Sequence, residues 1–316
     1  MKAKRTISEI IESRMRLSMR GIGRVVAGFS GGADSTALLL GLRSAGVETV
    51  AVHCNFHLRG EESMRDEKAA REFCDRFGIE FIKIDFDASA EAERTGTSLE
   101  MVCRDLRYAE FRRLMKEFGA ERIAVAHNSD DNVETLLLNL FRGGGVAGLR
   151  GMLPDSGEIV RPLLGTSREE IEDYLREREV EFVVDSTNLE SDYRRNFIRN
   201  ELLPMIESRW PGVRKAMGKT LENLRMDEIV LQWAEGELCG EDGGKFLSFS
   251  RIAASPSPEW IIRRFAVRFG ASRDIIMEMG DVFRKRYGTQ HIIGKEWKTA
   301  RGRFKYSKNG LHFFAG

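Results

Sequence analysis

Between Val25 and Arg178, short apolar runs alternate with longer segments that repeat their apolar positions at helical spacing. Val25–Phe29, Thr49–Cys54, Glu80–Asp85, Arg122–Ala126 and the weaker Phe182–Val184 have the length of strands, and the first is nearly continuous in apolar character, as a central parallel strand is. Ser35–Ala45, Ser63–Phe77, Ser98–Phe118, Asp131–Phe141 and Ser167–Arg178 read as the intervening helices. Met1 to Arg20 reads as an amphipathic helix with Ile7, Ile10, Ile11, Met15 and Leu17 partly on one side. This order predicts an α/β fold with a doubly wound parallel sheet, in which ligands bind beyond the carboxyl ends of the strands. The alternation stops near Pro211. Lys215–Trp233 then reads as a long helix, Gly236–Gly244 as a Gly-rich acidic loop, and Ile252–Gly316 as a small α+β unit. The expected domains are 1–210, catalytic, and 211–316, a helical linker with a small C-terminal domain.

Composition narrows the class. The 316 residues suit two domains, and no stretch approaches the ~20 apolar residues needed to span a bilayer. Met1–Arg20 mixes basic and acidic residues without an apolar core, unlike a signal peptide. Cys54, Cys74, Cys103 and Cys239 contain no C-x-x-C pair, which argues against zinc ribbons and iron–sulfur attachment and fits a reducing cytoplasm. The net charge of +1 hides an asymmetry: Glu259–Gly316 carries 13 Lys or Arg against 5 Asp or Glu, so the remainder is −7. A basic tail with Trp260, Phe265, Phe283, Tyr287 and Trp297 interleaved suggests a polyanionic partner, with a solvated face as the plainer alternative.

The chemistry concentrates after the first strand. Ser30–Gly31–Gly32–Ala33–Asp34–Ser35 follows the run Val25–Phe29 and opens a helix. Gly31 and Gly32 allow a sharp turn and close approach of an anion, and the helix N-terminus offers free N–H groups to a phosphate. It is not a Walker A loop, because no Lys precedes Ser35. It matches the SGGxDS signature of ATP pyrophosphatases, which cleave between the α- and β-phosphates. A carboxylate in a phosphate cradle repels its ligand unless a cation intervenes, so Asp34 points to Mg²⁺; a helix first-turn Asp is the alternative.

Other polar clusters fall at strand ends. His53, Asn55, His57 and Arg59 close the second strand, where an adenine edge would sit. His127, Asp130, Asp131 and Glu134 follow the fourth. An N-cap at Asp131 with Glu134 in a capping box would explain two of them but not His127 or Asp130. The glycines Gly143, Gly144, Gly145 and Gly148 demand unusual dihedrals or a close approach. Asp185–Asn188 precedes a stretch in which Arg195 and Arg199 share a helical face, as a phosphate clamp or an inter-motif salt bridge.

Together these blocks resemble the tRNA(Ile)-lysidine synthetase family. The resemblance rests on SGGADS at Ser30–Ser35, VHCNFHLR at Val52–Arg59, RDLRY at Arg104–Tyr108, AHNSDDNVET at Ala126–Thr135, GGGVAGLRGM at Gly143–Met152, RPLL at Arg161–Leu164, and DSTN with RRNFIR at Asp185–Arg199. Where the family shows an NHxLR-like pattern, this chain reads N-F-H-L-R, which leaves the role of His57 open. The resemblance implies an adenine nucleotide α-hydrolase-like fold and a ligase. ATP would adenylate the wobble cytidine of an isoleucine tRNA with a CAU anticodon, and free L-lysine would then displace AMP to give lysidine. It implies an ATP site of Ala27, Ser30, Gly31, Gly32, Ala33, Asp34, Ser35 and His53, with Mg²⁺ at Asp34. Catalysis falls to Asp34, Asp131 and Arg104, and lysine binding to His127, Asp130, Asp131 and Glu134. tRNA contacts fall to Arg59, Arg195, Arg199, Arg284, Lys285 and Arg286, so the small C-terminal domain is expected to contact tRNA. A cytoplasmic enzyme without membrane contact is expected, and a homodimer stays open. The alternatives are a tRNA thiolase, an amide-forming synthetase and a non-catalytic nucleotide-binding module. The first would want C-x-x-C cysteines, the second an amidotransferase, and the third would not need Asp34 together with Asp130 and Asp131.

Overall fold

The computed structural model describes residues 5–58, 60–183, 193–239, 244–287 and 292–316. Two compact units divide it, Met1–Leu224 and Arg225–Gly316. The first contains α1 (Ile7–Ser18), β1 (Arg24–Gly28), α2 (Ala33–Ser44), β2 (Glu48–Asn55), α3 (Glu61–Phe77), β3 (Glu80–Asp85), α4 (Ala88–Thr95) and α5 (Leu99–Glu117). It continues with β4 (Arg122–Ala124), α6 (Ser129–Phe141), α7 (Val146–Leu149), β5 (Ile159–Val160) and α8 (Arg168–Glu177). α9 (Tyr193–Phe197) runs through a π-helical turn, Ile198–Leu202, into α10 (Leu203–Arg209), and α11 (Val213–Cys239) follows. α11 carries the chain from the first unit into the second, so the division falls inside a helix rather than after residue 210.

The strands form a parallel sheet in the order β3-β2-β1-β4-β5. β1 alternates its side chains between two apolar layers. Val25 and Ala27 face Leu38, Leu39 and Leu42 of α2, Met15 of α1 and Ile171 of α8. Val26 faces Phe111 and Leu114 of α5. Burial on both faces is what makes this strand continuously apolar. The chain winds outward from β1 through β2 to β3, then returns to place β4 on the other side of β1. Doubly wound sheets open a crevice at such a reversal, beyond the strand ends.

Several expected bounds shift. Of Phe182–Val184, Phe182 and Val183 are described and form no strand: Val183 makes one bridge to Gly32, Val184 lies outside the described residues, and the fifth strand is the two-residue β5. The stretch beginning at Gly236 is helical through Cys239, at the end of α11. α4 and α7 were not anticipated. The Gly-rich stretch after α6 is ordered by packing: Asn132 Oδ1 accepts from Met152 N at 2.8 Å, and a Cβ on Gly151 would stand 2.3 Å from that oxygen.

The second unit has β6 (Phe246–Ser248), α12 (Phe249–Ala254), α13 (Pro258–Arg268), α14 (Arg273–Arg286), β7 (Glu296–Thr299), β8 (Gly302–Tyr306) and β9 (Gly310–Ala315). Its antiparallel sheet, ordered β6-β9-β8-β7, packs Leu247, Trp297, Phe304, Tyr306, Leu311 and Phe313 with Ile261, Phe265, Met279 and Phe283. This is the small α+β unit expected from the sequence. Arg264 of α13 pairs with Glu228 at 3.0 Å and Glu235 at 2.8 Å, tying the last turns of α11 to this unit. Glu228 is 2% exposed, so its charge depends on that guanidinium. Arg264→Met should therefore destabilise the second unit by ~3–5 kcal/mol, because buried Glu228 loses its guanidinium while Glu235 keeps only Arg268 at 3.5 Å, and Arg264→Met with Glu228→Gln should recover part of the loss. Urea unfolding followed by tryptophan fluorescence measures both; an unchanged midpoint for Arg264→Met would remove this ion cluster from the unit's stability.

Candidate active site at the sheet reversal

The loop after β1 is shaped by its own hydroxyls and glycines. Gly31 has φ +86°, a conformation a side chain strains against, and Val183 N donates to its carbonyl at 3.0 Å. Ser35 Oγ lies 3.1 Å from Ser30 Oγ and donates to Gly32 O at 3.0 Å. Gly32 is the N-cap of α2 and supplies no side chain to the first-turn N–H groups, which are left for an anion. Gly28 lets Phe111 approach: a Cβ there would meet its ring at 2.9 Å.

A cavity of about 520 Å³ opens beside this loop. Ser30, Asp34 and Ser35 line one part; His53, Asn55 and Phe56 line the end of β2; Arg104, Arg107 and Tyr108 come from α5, and His127 from the segment after β4. Its size suits a nucleotide-sized ligand. His53 is buried with Nδ1 3.0 Å from Phe29 O, and burial lowers its pKa. Arg104 lies over the Tyr108 ring at 4.9 Å, and Arg107 over the Phe56 ring at 5.4 Å. Cys54 also lines the cavity, but burial pushes its thiol up to about 11, so it stays protonated.

His127 has the most unusual setting. Burial, reinforced by Arg161, Arg195, Arg104 and Arg107, pushes its pKa down to about 3, so the ring is neutral. Its buried Nδ1 has no hydrogen-bond partner among the described residues, although buried polar atoms are normally paired. A neutral imidazole nitrogen on a cavity wall suits a polar ligand group.

The carboxylates are arranged differently from the expectation. Asn128, not Asp131, caps α6; Asp131 is the third residue of that capping box, accepting from Asn128 N at 3.1 Å. Glu134 takes no part in the cap. It is fully buried and accepts from Arg195 Nε at 2.7 Å and Arg199 Nε at 2.6 Å. Arg199 also reaches Asp131 at 3.0 Å. Arg195 and Arg199, expected on tRNA, are thus held on α6, which is the salt-bridge alternative. The reason is desolvation: a buried carboxylate needs paired cations. Asp130 turns away from the cavity, accepting from Arg214 at 2.9 Å and Arg168 N at 2.9 Å.

Asp34 lies in the first turn of α2, with its carboxylate bound by Asn128 Nδ2 at 3.1 Å and Arg168 at 2.8 Å. Burial raises its pKa, opposed by Arg168. Among the described residues no three His, Cys, Asp or Glu side chains group as a metal site. A Mg²⁺ held by one carboxylate, phosphate oxygens and water needs no such group, so Asp34 beside an uncapped helix terminus fits it.

Of the other expected residues, Ala33 opens α2 beside the loop and Ala27 lies inside β1, fully buried behind the cavity wall. His57 sits outside the cavity lining, with φ +54° and Nε2 2.8 Å from Asp85. Arg59 and Asp185–Asn188 lie outside the described residues. In the second unit Arg284 pairs with Glu259 at 2.8 Å and Asp281 at 3.1 Å, and Lys285 approaches Asp281 at 3.9 Å, so the basic run at the end of α14, which finishes at Arg286, is partly neutralised within its unit. Arg107, Arg161 and Arg168 were not singled out from the sequence as site residues. Arg107 and Arg161 sit within quoted motifs, whereas Arg168 reads as an ordinary residue after a Ser cap.

No helix among the described residues is long and apolar enough to cross a membrane. A family model described as a PP-loop domain matches residues 1–206. A protein of Parabacteroides distasonis named tRNA(Ile)-lysidine synthase is 44% identical over 253 residues, which cover 79% of this chain and 57% of that protein. One of the same name from Bacteroides thetaiotaomicron is 39% identical over 284 residues, covering 89% and 66%. The chain thus spans less than two thirds of the length of these curated relatives. Among solved structures, a U34-tRNA thiolase from Methanococcus maripaludis superposes with TM-score 0.56 at 20% identity, covering 69% of this chain and 78% of that one, a likeness of fold alone. With its phosphate loop at the sheet reversal, and with these relatives, the chain belongs to the PP-loop family.

Proposed function

We propose that this chain is an ATP-dependent tRNA-modifying ligase. It would adenylate the wobble cytidine of an isoleucine tRNA with a CAU anticodon, and the ε-amine of free L-lysine would then displace AMP. The observation that carries the reading is one continuous cavity that joins the phosphate loop, at Ser30–Ser35, to the neutral, unpartnered His127 among arginines. The curated relatives' shared name, tRNA(Ile)-lysidine synthase, supports an isoleucine tRNA as the substrate and lysidine as the product.

In this reading the loop N–H groups and the α2 terminus hold the pyrophosphate leaving group. Mg²⁺ at Asp34 would neutralise charge on those phosphates. His53 and the end of β2 border the adenine side. His127 receives a hydrogen bond from, or gives one to, the cytosine edge, and Arg104, stacked over Tyr108, balances charge as the base oxygen attacks the α-phosphate. The lysine ammonium approaches Asp131, which is partly exposed, rather than Glu134, which is sealed by its two arginines. The amine must lose a proton to attack: at pH 7 an amine of pKa ~10.4 is neutral only about once in 2,500. Asp131 or a phosphate oxygen accepts that proton.

The direct test is pyrophosphate release with ATP, lysine and isoleucine tRNA, each omitted in turn. Release should require ATP and tRNA, and transfer of labelled lysine to tRNA should require all three. Release that ignores tRNA would overturn the reading. Asp131→Asn keeps the cap yet removes the charge, so it should raise the KM for lysine by about tenfold or more, a loss of the size expected of a charge-assisted contact, and leave ATP use nearly unchanged. Glu134→Gln should instead lower stability, by ~3–5 kcal/mol, because it half-empties a buried ion pair. If both variants behave alike, Asp131 is structural. Finally, folded His127 refuses a proton that the unfolded chain takes up near pH 6.5. Its contribution to stability is present above that pH and is lost as pH falls from about 6.5 towards 3. Urea midpoints measured down this range should decline less steeply for His127→Gln; equal slopes would show that His127 is not held neutral.

A further inference from the structure

The small unit's sheet has one packed face and one open face. Alternation along β9 sends Leu311 and Phe313 into the core, so His312 and Phe314 stand on the other side. In β8, Phe304 and Tyr306 are buried, which puts Arg303 and Lys305 with His312 and Phe314. Trp297 is buried in β7, leaving Glu296 and Lys298 outward, and Phe246 of β6 faces away from buried Leu247. Register then builds two rows across the strands. Phe246, His312, Lys305 and Glu296 are successive partners in one, and Phe314, Arg303 and Lys298 in the other.

The rings of these rows lie against one another, Phe246 tilted on His312 and His312 stacked with Phe314. Phe246 and His312 have centroids 4.4 Å apart, and His312 and Phe314 lie 5.9 Å apart at 20° between planes. The Arg303 guanidinium sits 5.4 Å from the centre of the Phe314 ring. Phe314 is 42% exposed, an unusual state for a Phe in a sheet whose inner face is dry. One carboxylate, Glu296, answers both Lys305 at 2.7 Å and Arg303 at 3.5 Å, so the face keeps an excess of positive charge.

We propose that this open face binds unpaired RNA nucleotides, with Phe246, His312 and Phe314 stacking on bases and Lys298, Arg303 and Lys305 holding phosphates; the tRNA identity of that RNA rests on the function proposed above. Stacking on aromatic side chains and Arg planes, backed by a basic surface, is how open sheets hold single-stranded RNA. A protein partner fits less well, because protein interface cores are depleted in Lys, and here Lys298 and Lys305 lie within the rows. The assignment moves the nucleic-acid surface away from Arg284 and Lys285, whose charges are partly spent on Glu259 and Asp281.

The test uses the whole 316-residue chain and fluorescence anisotropy with a short fluorescein-labelled oligouridylate and a blunt RNA duplex. Phe314→Ala with His312→Ala should weaken the oligouridylate by about tenfold or more, since each base stack lost is a large fraction of such binding. The duplex, held through phosphates alone, should change little. Phe314→Trp should retain binding. Arg303→Ala with Lys298→Ala should flatten the salt dependence for both RNAs. An oligonucleotide carrying 2-aminopurine should lose its binding-dependent fluorescence change with Phe314→Ala alone, a variant whose exposed position spares the core. Unaltered oligouridylate affinity in the double aromatic variant, or no binding by the unmodified chain, would overturn the platform. So would a change in self-association, seen by sedimentation, without a change in RNA binding. Pyrophosphate release is read separately: its failure with oligouridylate binding intact would sink the ligase reading and leave the platform standing.

Discussion

A fully buried carboxylate, Glu134, is the constraint on which the arrangement around α6 in the first unit depends. Its charge is tenable only if guanidinium groups reach it from elsewhere, and the nearest come from Arg195 and Arg199, about sixty residues along the chain. Satisfying that carboxylate therefore draws α9 and its π turn onto α6. The same contact brings Arg199 to Asp131, the third residue of the capping box whose N-cap, Asn128, in turn holds Asp34. A line of hydrogen bonds thus runs from the buried ion pair to the phosphate loop. Each carboxylate expected to attract a cationic substrate already has a cation, so a cation entering here would have to exchange partners rather than meet a bare negative site.

Much of the architecture was legible because the physical signals are local. Gly31 and Gly32 announce a turn that only small residues allow, and the apolar run before them announces a strand buried on both faces. His127 and Asp131 were legible as candidates because they follow a strand end, and of the two the cavity is lined by His127. Other features depend on partners that sequence spacing does not reveal. β5 is two residues long and carries no periodicity. Val183 joins the loop through one bridge without forming a strand. Arg168 looks like a first-turn helix residue, and its role comes from meeting Asp34 more than a hundred positions away. The choice between clamp and salt bridge for Arg195 and Arg199 was undecidable from a helical face alone, because what that face meets is a tertiary fact.

The charged tail teaches a related lesson. Counting charges along the chain placed positive potential at the end of α14, yet Glu259 and Asp281 meet Arg284 there. Strand alternation, by contrast, sorts side chains strictly between two sides. It sets the cations of β7 and β8 on the same surface as the rings of β6 and β9. Net charge describes a segment; only register says which charges share a surface.

The π turn between α9 and α10 has a mechanical consequence. An α-helix advances about 100° per residue, so one extra residue in a turn rotates everything after it by roughly that angle. Arg195 before the turn and Arg199 within it reach Glu134, while Ile198 within it and fully buried Leu203 after it join the apolar cluster with Val133 and Leu137. In a regular helix position 203 would fall four residues beyond Arg199 on nearly the same side, and the π turn changes its angle to the two arginines by roughly 100°. The turn acts as a phase shifter, and it lets one continuous rod present a charged face to the chemistry and a greasy face to its anchor. Deleting a single residue within Ile198–Leu202 would bring those two faces out of step, with no change in composition on either.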